Sequence, residues 1–269
     1  EVFQRGVLER LKGLPGVESA AVTDRAPFNG RWTSRIRPLD TDFEEEGLNL
    51  YMKRAGAGYF GTMGISMIEG SGFTDADDGQ GVHSLVVSRA TATRFWPAES
   101  AVGRHMQWRD AEWTIVGVAD DARYYEIGED PPSQVYVPQG HVEGGNLTFV
   151  VRTAVPAASL AAAVEAAIHE LDPRVAVFGT ETLADRVDEQ TASYRALAIL
   201  VTLFGGIALF LAAIGLYGVQ AYLVGRRKRE IGIRMALGAK ARKVAASVLA
   251  RGSALALTGV FIGLGVALA

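Results

Sequence analysis

Apolar residues are distributed along this chain in two distinct ways. Up to residue 194 they come in short runs broken by charge. From Ala196 to Gly225, by contrast, 30 consecutive residues carry no charge, and from Gly252 to Ala269 another 18 carry none. A buried element of a soluble protein rarely needs more than about 14 such residues, whereas crossing a bilayer takes roughly 20. The first run has apolar residues on every side of a helix, with Leu200, Phe204, Leu209, Phe210 and Ile214 sharing no common face. Gly205, Gly206, Ala212, Ala213, Gly215 and Gly218 lie among them, and small residues of this kind let helices approach closely in lipid. The run predicts a membrane span over about 196–225. As a helix it is about 45 Å long, more than the roughly 30 Å hydrocarbon core, so it is expected to tilt or to project as a stalk. A second span is expected over 252–269, with Gly259 and Gly263 forming a GxxxG pair. Because this run reaches the last residue and Glu1–Lys12 reads as a helix already under way, the sequence reads as a piece of a longer membrane protein.

The segment before the first span reads as a mixed α/β domain over residues 1–190. A first helix ends at the Gly-Leu-Pro-Gly turn of Gly13–Gly16, and Val17–Thr23 alternates as a strand. Residues 29–47, with Arg31, Arg35, Arg37 and Glu44–Glu46, read as an exposed connection. Further strands are expected at Leu48–Arg54, Ile65–Ile68, Leu85–Ser88, Trp113–Val118, Val135–Val137, Thr148–Arg152 and Val175–Phe178. Helices are expected at Arg89–Trp96, Ala157–Leu171 and from Thr180 into the span. Leu160, Val164, Ala167, Ile168 and Leu171 fall on one face of the second of these, the spacing of a helix lying on a sheet.

Charge adds an orientation. Residues 1–194 hold 17 basic and 29 acidic residues, a net charge of −12, while 226–251 hold nine basic residues and one acid, Glu230. Short loops rich in Arg and Lys stay on the cytoplasmic side of a membrane, so 226–251 is expected in the cytoplasm and 1–190 on the opposite face. Tyr217 and Tyr222 sit near the cytoplasmic end of the first span, where aromatic rings favour the interface. The basic cluster lies between two spans and has no interleaved aromatics, which argues against nucleic acid as a partner.

Candidate chemistry is sparse. With no cysteine in 269 residues, disulfides, CxxC redox sites and thiolate metal sites are excluded. Gly56-Ala57-Gly58-Tyr59-Phe60-Gly61 spells GxGxxG, but Gly64, Gly70 and Gly72 interrupt the helix that a dinucleotide site requires after it. Asp75, Asp77, Asp78 and Gly79 suggest a calcium loop, yet the glycine is one position early and Val86 stands in place of the closing acid. His83, His105, His141 and His169 have no ligand spacing, and HExxH, GxSxG and Walker sequences are absent. Asn146-Leu147-Thr148 is a formal glycosylation triplet of the kind that arises by chance. No catalytic, cofactor or metal constellation emerges, and no enzyme activity is expected of the chain.

The informative stretch is Arg229-Glu230-Ile231-Gly232-Ile233-Arg234-Met235-Ala236-Leu237-Gly238-Ala239. Ile231/Met235 and Ile233/Leu237 are i, i+4 pairs flanked by charge, so a short helix can lie along the membrane surface, with Gly238 closing it. Physics alone leaves two readings, a positive-inside loop or a helix offered to a cytoplasmic partner. The motif strongly resembles the signature of FtsX/MacB-like ABC transporter permeases, and Leu211–Val219 resembles that family's second transmembrane helix. Tyr59-Phe60, Gly70–Asp77, Val87–Pro97, Trp113–Asp121 and Val135–Pro138 resemble its periplasmic core domain. The combination is most similar to the large duplicated permeases of acidobacterial type.

The resemblance implies an α+β extracytoplasmic domain (a MacB-like periplasmic core, 1–190) followed by α-helical transmembrane segments (191–269) in a bacterial inner membrane. It implies a permease subunit of an ATP-driven export or mechanotransmission system. ATP would bind a separate cytoplasmic ABC ATPase subunit, touched by a coupling helix of Arg229, Glu230, Ile231, Gly232, Ile233, Arg234, Met235, Leu237 and Gly238. The other partners implied are the lipid bilayer and a periplasmic partner or a dimeric permease assembly. The competing function is a non-transporting transmembrane scaffold that relays an ATPase signal to a periplasmic enzyme such as a cell-wall hydrolase.

Overall fold

The structure, a computed structural model, describes residues 2–41, 47–78, 83–122, 132–141 and 147–226, together with Arg229, Gly232, Ile233, Gly259, Gly263 and Gly265. The chain divides into two compact units, Glu1–Ala192 and Ser193–Ala269. In chain order the first runs α1 (Val2–Gly13), β1 (Val17–Thr23), β2 (Thr33–Pro38), β3 (Leu48–Ala55), α2 (Tyr59–Met63) and β4 (Met67–Gly70). It continues through β5 (Ser84–Ser88), α3 (Arg89–Phe95), β6 (His105–Trp108), β7 (Ala111–Ala119), β8 (Gln134–Pro138), β9 (Thr148–Thr153) and α4 (Ala161–His169). The last helix, α5 (Leu183–Arg226), begins in this unit and runs on into the second.

Strands follow one another in the order β2-β6-β7-β5-β8-β3-β1-β9, with β4 added on β7. A further pairing of β2 with β3, Thr33 opposite Tyr51 through Ile36 opposite Leu48, joins the first strand of that series to the sixth. Six strands therefore close on themselves as a small barrel, and β1 and β9 continue the sheet beyond it. The barrel interior holds Ile36, Leu50, Met52, Leu85, Met106, Trp108, Trp113 and Ile115, all buried. Trp108 and Trp113 pack with ring centroids 5.0 Å apart. Each such side chain contributes roughly 1.5–3 kcal/mol by leaving water. The central strands β5 and β8 are buried along their whole length, which explains their uninterrupted apolar sequence. Ser88 ends β5 and starts α3: its Oγ accepts from the Thr91 backbone N–H at 3.3 Å and from Gln134 N at 3.1 Å.

A second layer lies against β1 and β9. Here Val7 and Leu11 of α1, Ala20 of β1 and Ala167 and Ile168 of α4 form a separate buried cluster, with Phe149, Val151, Val164, Leu171, Val175 and Val177 packed against it. The helical face expected for Ala157–Leu171 is the one observed, although its first turn, Ala157–Leu160, is a 3-10 helix.

Three expectations need correction. Within the exposed connection expected over 29–47, Thr33–Pro38 is a strand of the barrel: its arginines point to solvent while Ile36 is fully buried between them. Two buried positions, Ile36 and Pro38, set among arginines were too weak a pattern to mark it. β6 was not expected at all, for the same reason of brevity. Conversely, Val175–Phe178 alternates like a strand but has no ladder partner among the described residues; Val175 and Val177 pack against the second cluster instead. Residues 42–46 of the expected connection lie outside the described residues.

Candidate functional site

Helix α5 is the first element of interest. Thr182 precedes it, and its Oγ1 accepts from the Asp185 backbone N–H at 3.1 Å while lying 2.7 Å from the Asp185 carboxylate. This satisfies an orphan donor of the first turn and places a negative charge at the positive end of the helix dipole. One turn in, Arg186 is ion-paired with Glu181, and its Nη1 approaches the Pro27 carbonyl at 3.5 Å. No proline occurs between Leu183 and Arg226, so nothing in the sequence breaks the backbone ladder over 44 residues, about 66 Å of helix. Thr202, inside the apolar run, donates its hydroxyl to the Ala198 carbonyl at 2.8 Å and so leaves no unpaired polar group there. Among the described residues this is the one helix long and apolar enough to cross a membrane, and none of its apolar stretch is buried in the protein.

Of the nine residues expected to form the coupling helix, Arg229, Gly232 and Ile233 are described, and all three are helical. Ile233 is 56% exposed, and a side chain built on Gly232 would meet nothing within 4 Å. Glu230, Ile231, Arg234, Met235, Leu237 and Gly238 lie outside the described residues, as does the expected second span apart from its helical glycines 259, 263 and 265.

The motifs set aside in the sequence have structural explanations. Gly58 and Gly64 adopt left-handed conformations (φ 76° and 72°) that begin and end the five-residue α2, too short for a dinucleotide helix. Tyr59 and Phe60 within the motif are buried, filling space that a nucleotide would need. A Cβ on Gly56 would fall 2.6 Å from Val22 Cγ1, so this glycine serves strand packing. In the acidic turn, the Asp77 carboxylate accepts from Thr74 N, Thr74 Oγ1 and Ser84 Oγ, and Asp78 Oδ1 accepts from Gly140 N. His83 packs on the Trp113 ring, His105 Nδ1 lies 3.2 Å from Asp40, and His169 lies 3.2 Å from the Val175 carbonyl. Among the described residues no three His, Asp or Glu side chains are placed to hold a metal ion.

Two features escaped sequence reasoning. The first is Lys53 on β3, only 5% exposed, whose Nζ donates to the Arg25 carbonyl at 2.8 Å. Its pKa is lowered to about 8, chiefly by burial; the Asp24 carboxylate opposes this and the Arg25 guanidinium reinforces it. Asp24 itself is buried, accepting from Thr23 Oγ1 at 3.3 Å and from the Arg54 N–H at 3.4 Å, with Arg25 Nε at 4.0 Å. A lysine inside a strand expected to be half-buried was the available signal, but alternation does not reveal that β3 is covered on both faces at that point.

The second is a groove of about 1130 Å³ between β9, α4 and the extended segment that leads into α5. One wall is apolar, with Phe149, Val151, Leu160, Val164 and Val177; the other end carries Asp24, Arg25, Arg54, Glu181, Asp185 and Arg186. Its parts come from positions more than 150 residues apart, so no local pattern announces it.

The described geometry thus contains an α+β domain with a barrel core and one long apolar helix leaving it. Residues 3–171 match the model of the MacB-like periplasmic core domain, and residues 202–269 match that of the FtsX-like permease C-terminal region. The chain belongs to the FtsX/MacB-like ABC transporter permeases. Among curated proteins it is 27% identical over 215 residues to the macrolide export ATP-binding/permease protein MacB of Marinobacter nauticus, covering 76% of this chain and 33% of that one. It is 25% identical over 244 residues to the probable syringafactin export ATP-binding/permease protein SyfD of Pseudomonas syringae pv. tomato, covering 87% and 35%. A solved structure of the periplasmic region of MacB from Actinobacillus actinomycetemcomitans aligns with a TM-score of 0.49 at 13% identity, over 69% of this chain and 82% of that one. The chain spans about a third of the length of the curated relatives it matches.

Proposed function

We propose that this chain is the permease part of an inner-membrane ABC system, in which a cytoplasmic ATPase drives an extracytoplasmic domain through the membrane helices. One observation carries the reading: a periplasmic core domain and an FtsX-like permease region occur in one chain, and a single helix, Leu183–Arg226, runs from the first to the second. An α-helix holds its backbone hydrogen bonds along its own axis, so a displacement at one end of such an element is carried to the other without new contacts. In this reading residues 1–190 are periplasmic, 196–225 and 252–269 span the membrane, and 226–251 face the cytoplasm, as their nine basic residues favour. ATP is bound by the ATPase, whether on another subunit or on another part of the same polypeptide. The relatives' names, which join ATP-binding and permease in one protein, and their export of small molecules support this assignment.

The contact with the ATPase is made by the helix around Arg229–Gly238. Its four apolar residues, Ile231, Ile233, Met235 and Leu237, cannot all face lipid on so short and charged a segment. Burying one of them against a partner is worth roughly 1.5–3 kcal/mol, a ten- to hundredfold change in occupancy. Ile231→Asp and Gly232→Trp, made in the full-length protein, should abolish co-purification with the ATPase and its stimulation, while protease protection shows normal insertion. Stimulation at the unmodified level by both variants would reduce the segment to an ordinary positive-inside loop.

A further inference from the structure

We propose that the groove between β9, α4 and residues 175–182 is a binding site for a net-neutral amphiphile, a molecule with an apolar chain or ring body and a hydrogen-bonding head. Three observations point there. The first is size: about 1130 Å³ is somewhat more than the roughly 300–1,000 Å³ of most small-molecule sites, room for a ligand with a long apolar body. The second is an apolar wall that the fold leaves unfinished. Val7 and Leu11 at the centre of the cluster behind it have no exposure, yet Phe149, Val151, Val164, Val175 and Val177 of the same cluster remain only half-buried, as does Phe3 of α1, which also lines the groove. At the lip, Phe178 is 74% exposed and Leu147 is 39% exposed. Apolar surface of this kind, gathered on one concave wall, marks a contact site rather than scattered surface residues.

The third observation concerns the head of the ligand. The polar end presents three arginines, Arg25, Arg54 and Arg186, and three carboxylates, Asp24, Glu181 and Asp185. Their formal charges cancel, and two arginines are engaged with carboxylates of the same set, Arg186 with Glu181 and Arg25 with Asp24. A ligand bearing a full charge finds no net opposite charge and disturbs an existing pair wherever it engages Arg25 or Arg186, whereas amide and hydroxyl groups can exchange hydrogen bonds with both signs of side chain at no such cost. The apolar wall then takes the body and the balanced end takes the head. Regarding the amphiphile as cargo rests on the permease reading; the binding site itself does not.

The test uses the full-length protein in nanodiscs and N-dodecanoyl-serinamide carrying a diazirine in its acyl chain, with free probe held constant by dialysis against lipid-only discs. Photolabelling should saturate, and the labelled peptides should fall within 147–182. Ala158→Trp, at an exposed position that lines the groove, should raise the half-saturating concentration at least tenfold by filling it, and Phe178→Asp at least threefold. Unlabelled N-dodecanoyl-serinamide should compete, while dodecyl sulfate and dodecylammonium at the same free concentration should compete at least tenfold less well. Labelling that never saturates, that is unchanged in Ala158→Trp, or that either ionic amphiphile displaces better would overturn the proposal. ATPase stimulation is read in parallel: saturable groove labelling without stimulation would uphold the site and count against the permease reading alone.

Discussion

Lys53 makes the stability of the first unit, Glu1–Ala192, depend on pH in a direction opposite to that of a salt-bridged lysine. Its pKa stands near 8 in the folded protein against 10.5 for the free side chain, because removing the ammonium from water costs more than the Asp24 carboxylate returns. Between these two values the unfolded chain holds a proton that the folded chain has released. Stability therefore rises with pH across that window, by about 1.4 kcal/mol per unit, for a total on the order of 3 kcal/mol. Below about pH 8 both states are protonated, and the full penalty of the buried charge is carried by the fold. Lys53→Met keeps most of the aliphatic volume and removes the titration. It also loses the hydrogen bond to the Arg25 carbonyl, worth about 1 kcal/mol at any pH. Urea unfolding followed by tryptophan fluorescence, run on both proteins from pH 7 to 10.5, isolates the effect, since tyrosines and other lysines cancel in the difference. The stability of the unsubstituted protein relative to Lys53→Met should climb by about 2–3 kcal/mol over the range. A flat difference would mean that Lys53 is solvated in the folded state. A falling one would mean that pairing with Asp24 outweighs burial, and either result refutes the reasoning.

Replacing the cap residue, Thr182→Ala, should cost about 1 kcal/mol and speed amide exchange in the first turn of α5 while leaving the barrel strands protected. Because the protein has no cysteine, topology can be read by single-cysteine labelling: Asp110→Cys should react with a membrane-impermeant maleimide from the periplasmic side, and Lys240→Cys only after permeabilisation. Labelling of Asp110→Cys exclusively from the cytoplasm would reverse the orientation derived from charge.

How legible each element was depended on how many of its positions carried the signal. The long apolar helix was plain because 30 residues repeated the same information, and the amphipathic helix over 157–171 because five apolar residues fell on one face. β2 was not, since a strand with charged neighbours buries only Ile36 and Pro38 and draws its definition from pairing with β3 and with the distant β6. Val175–Phe178 failed in the opposite sense: alternation records which side chains face inward, and an extended segment lying over a cluster alternates just as a laddered strand does. The stretch Arg229–Gly238 was readable from the sequence as a family motif, and residues 202–269 match the FtsX-like permease C-terminal region. The burial of Lys53 and the groove arise from tertiary folding, the groove with walls drawn from both ends of the domain.

The closure of β2 onto β3 also determines how load passes through the domain. A ring of hydrogen-bonded strands resists shear in every direction, since sliding any one strand breaks ladders on both of its sides. The sheet outside the ring is tied to it differently: β1 meets β3 at one register position, Thr23 opposite Ala55, reinforced by the Thr23 hydroxyl on the Arg54 carbonyl and by Gly56 N on the Val22 carbonyl. Beyond β1, by contrast, β9 is joined through a full ladder from Val17 to Thr23. The backbone ladder between ring and outer sheet is thus narrow, and beside it Ala21 of β1 and Val150 of β9 pack with Tyr59, Phe60, Val86, Ala119 and Tyr136 in one apolar cluster. A force applied to the helix-covered layer therefore reaches the barrel by two routes, a short line of hydrogen bonds that fixes direction and a packed apolar cluster that spreads the load.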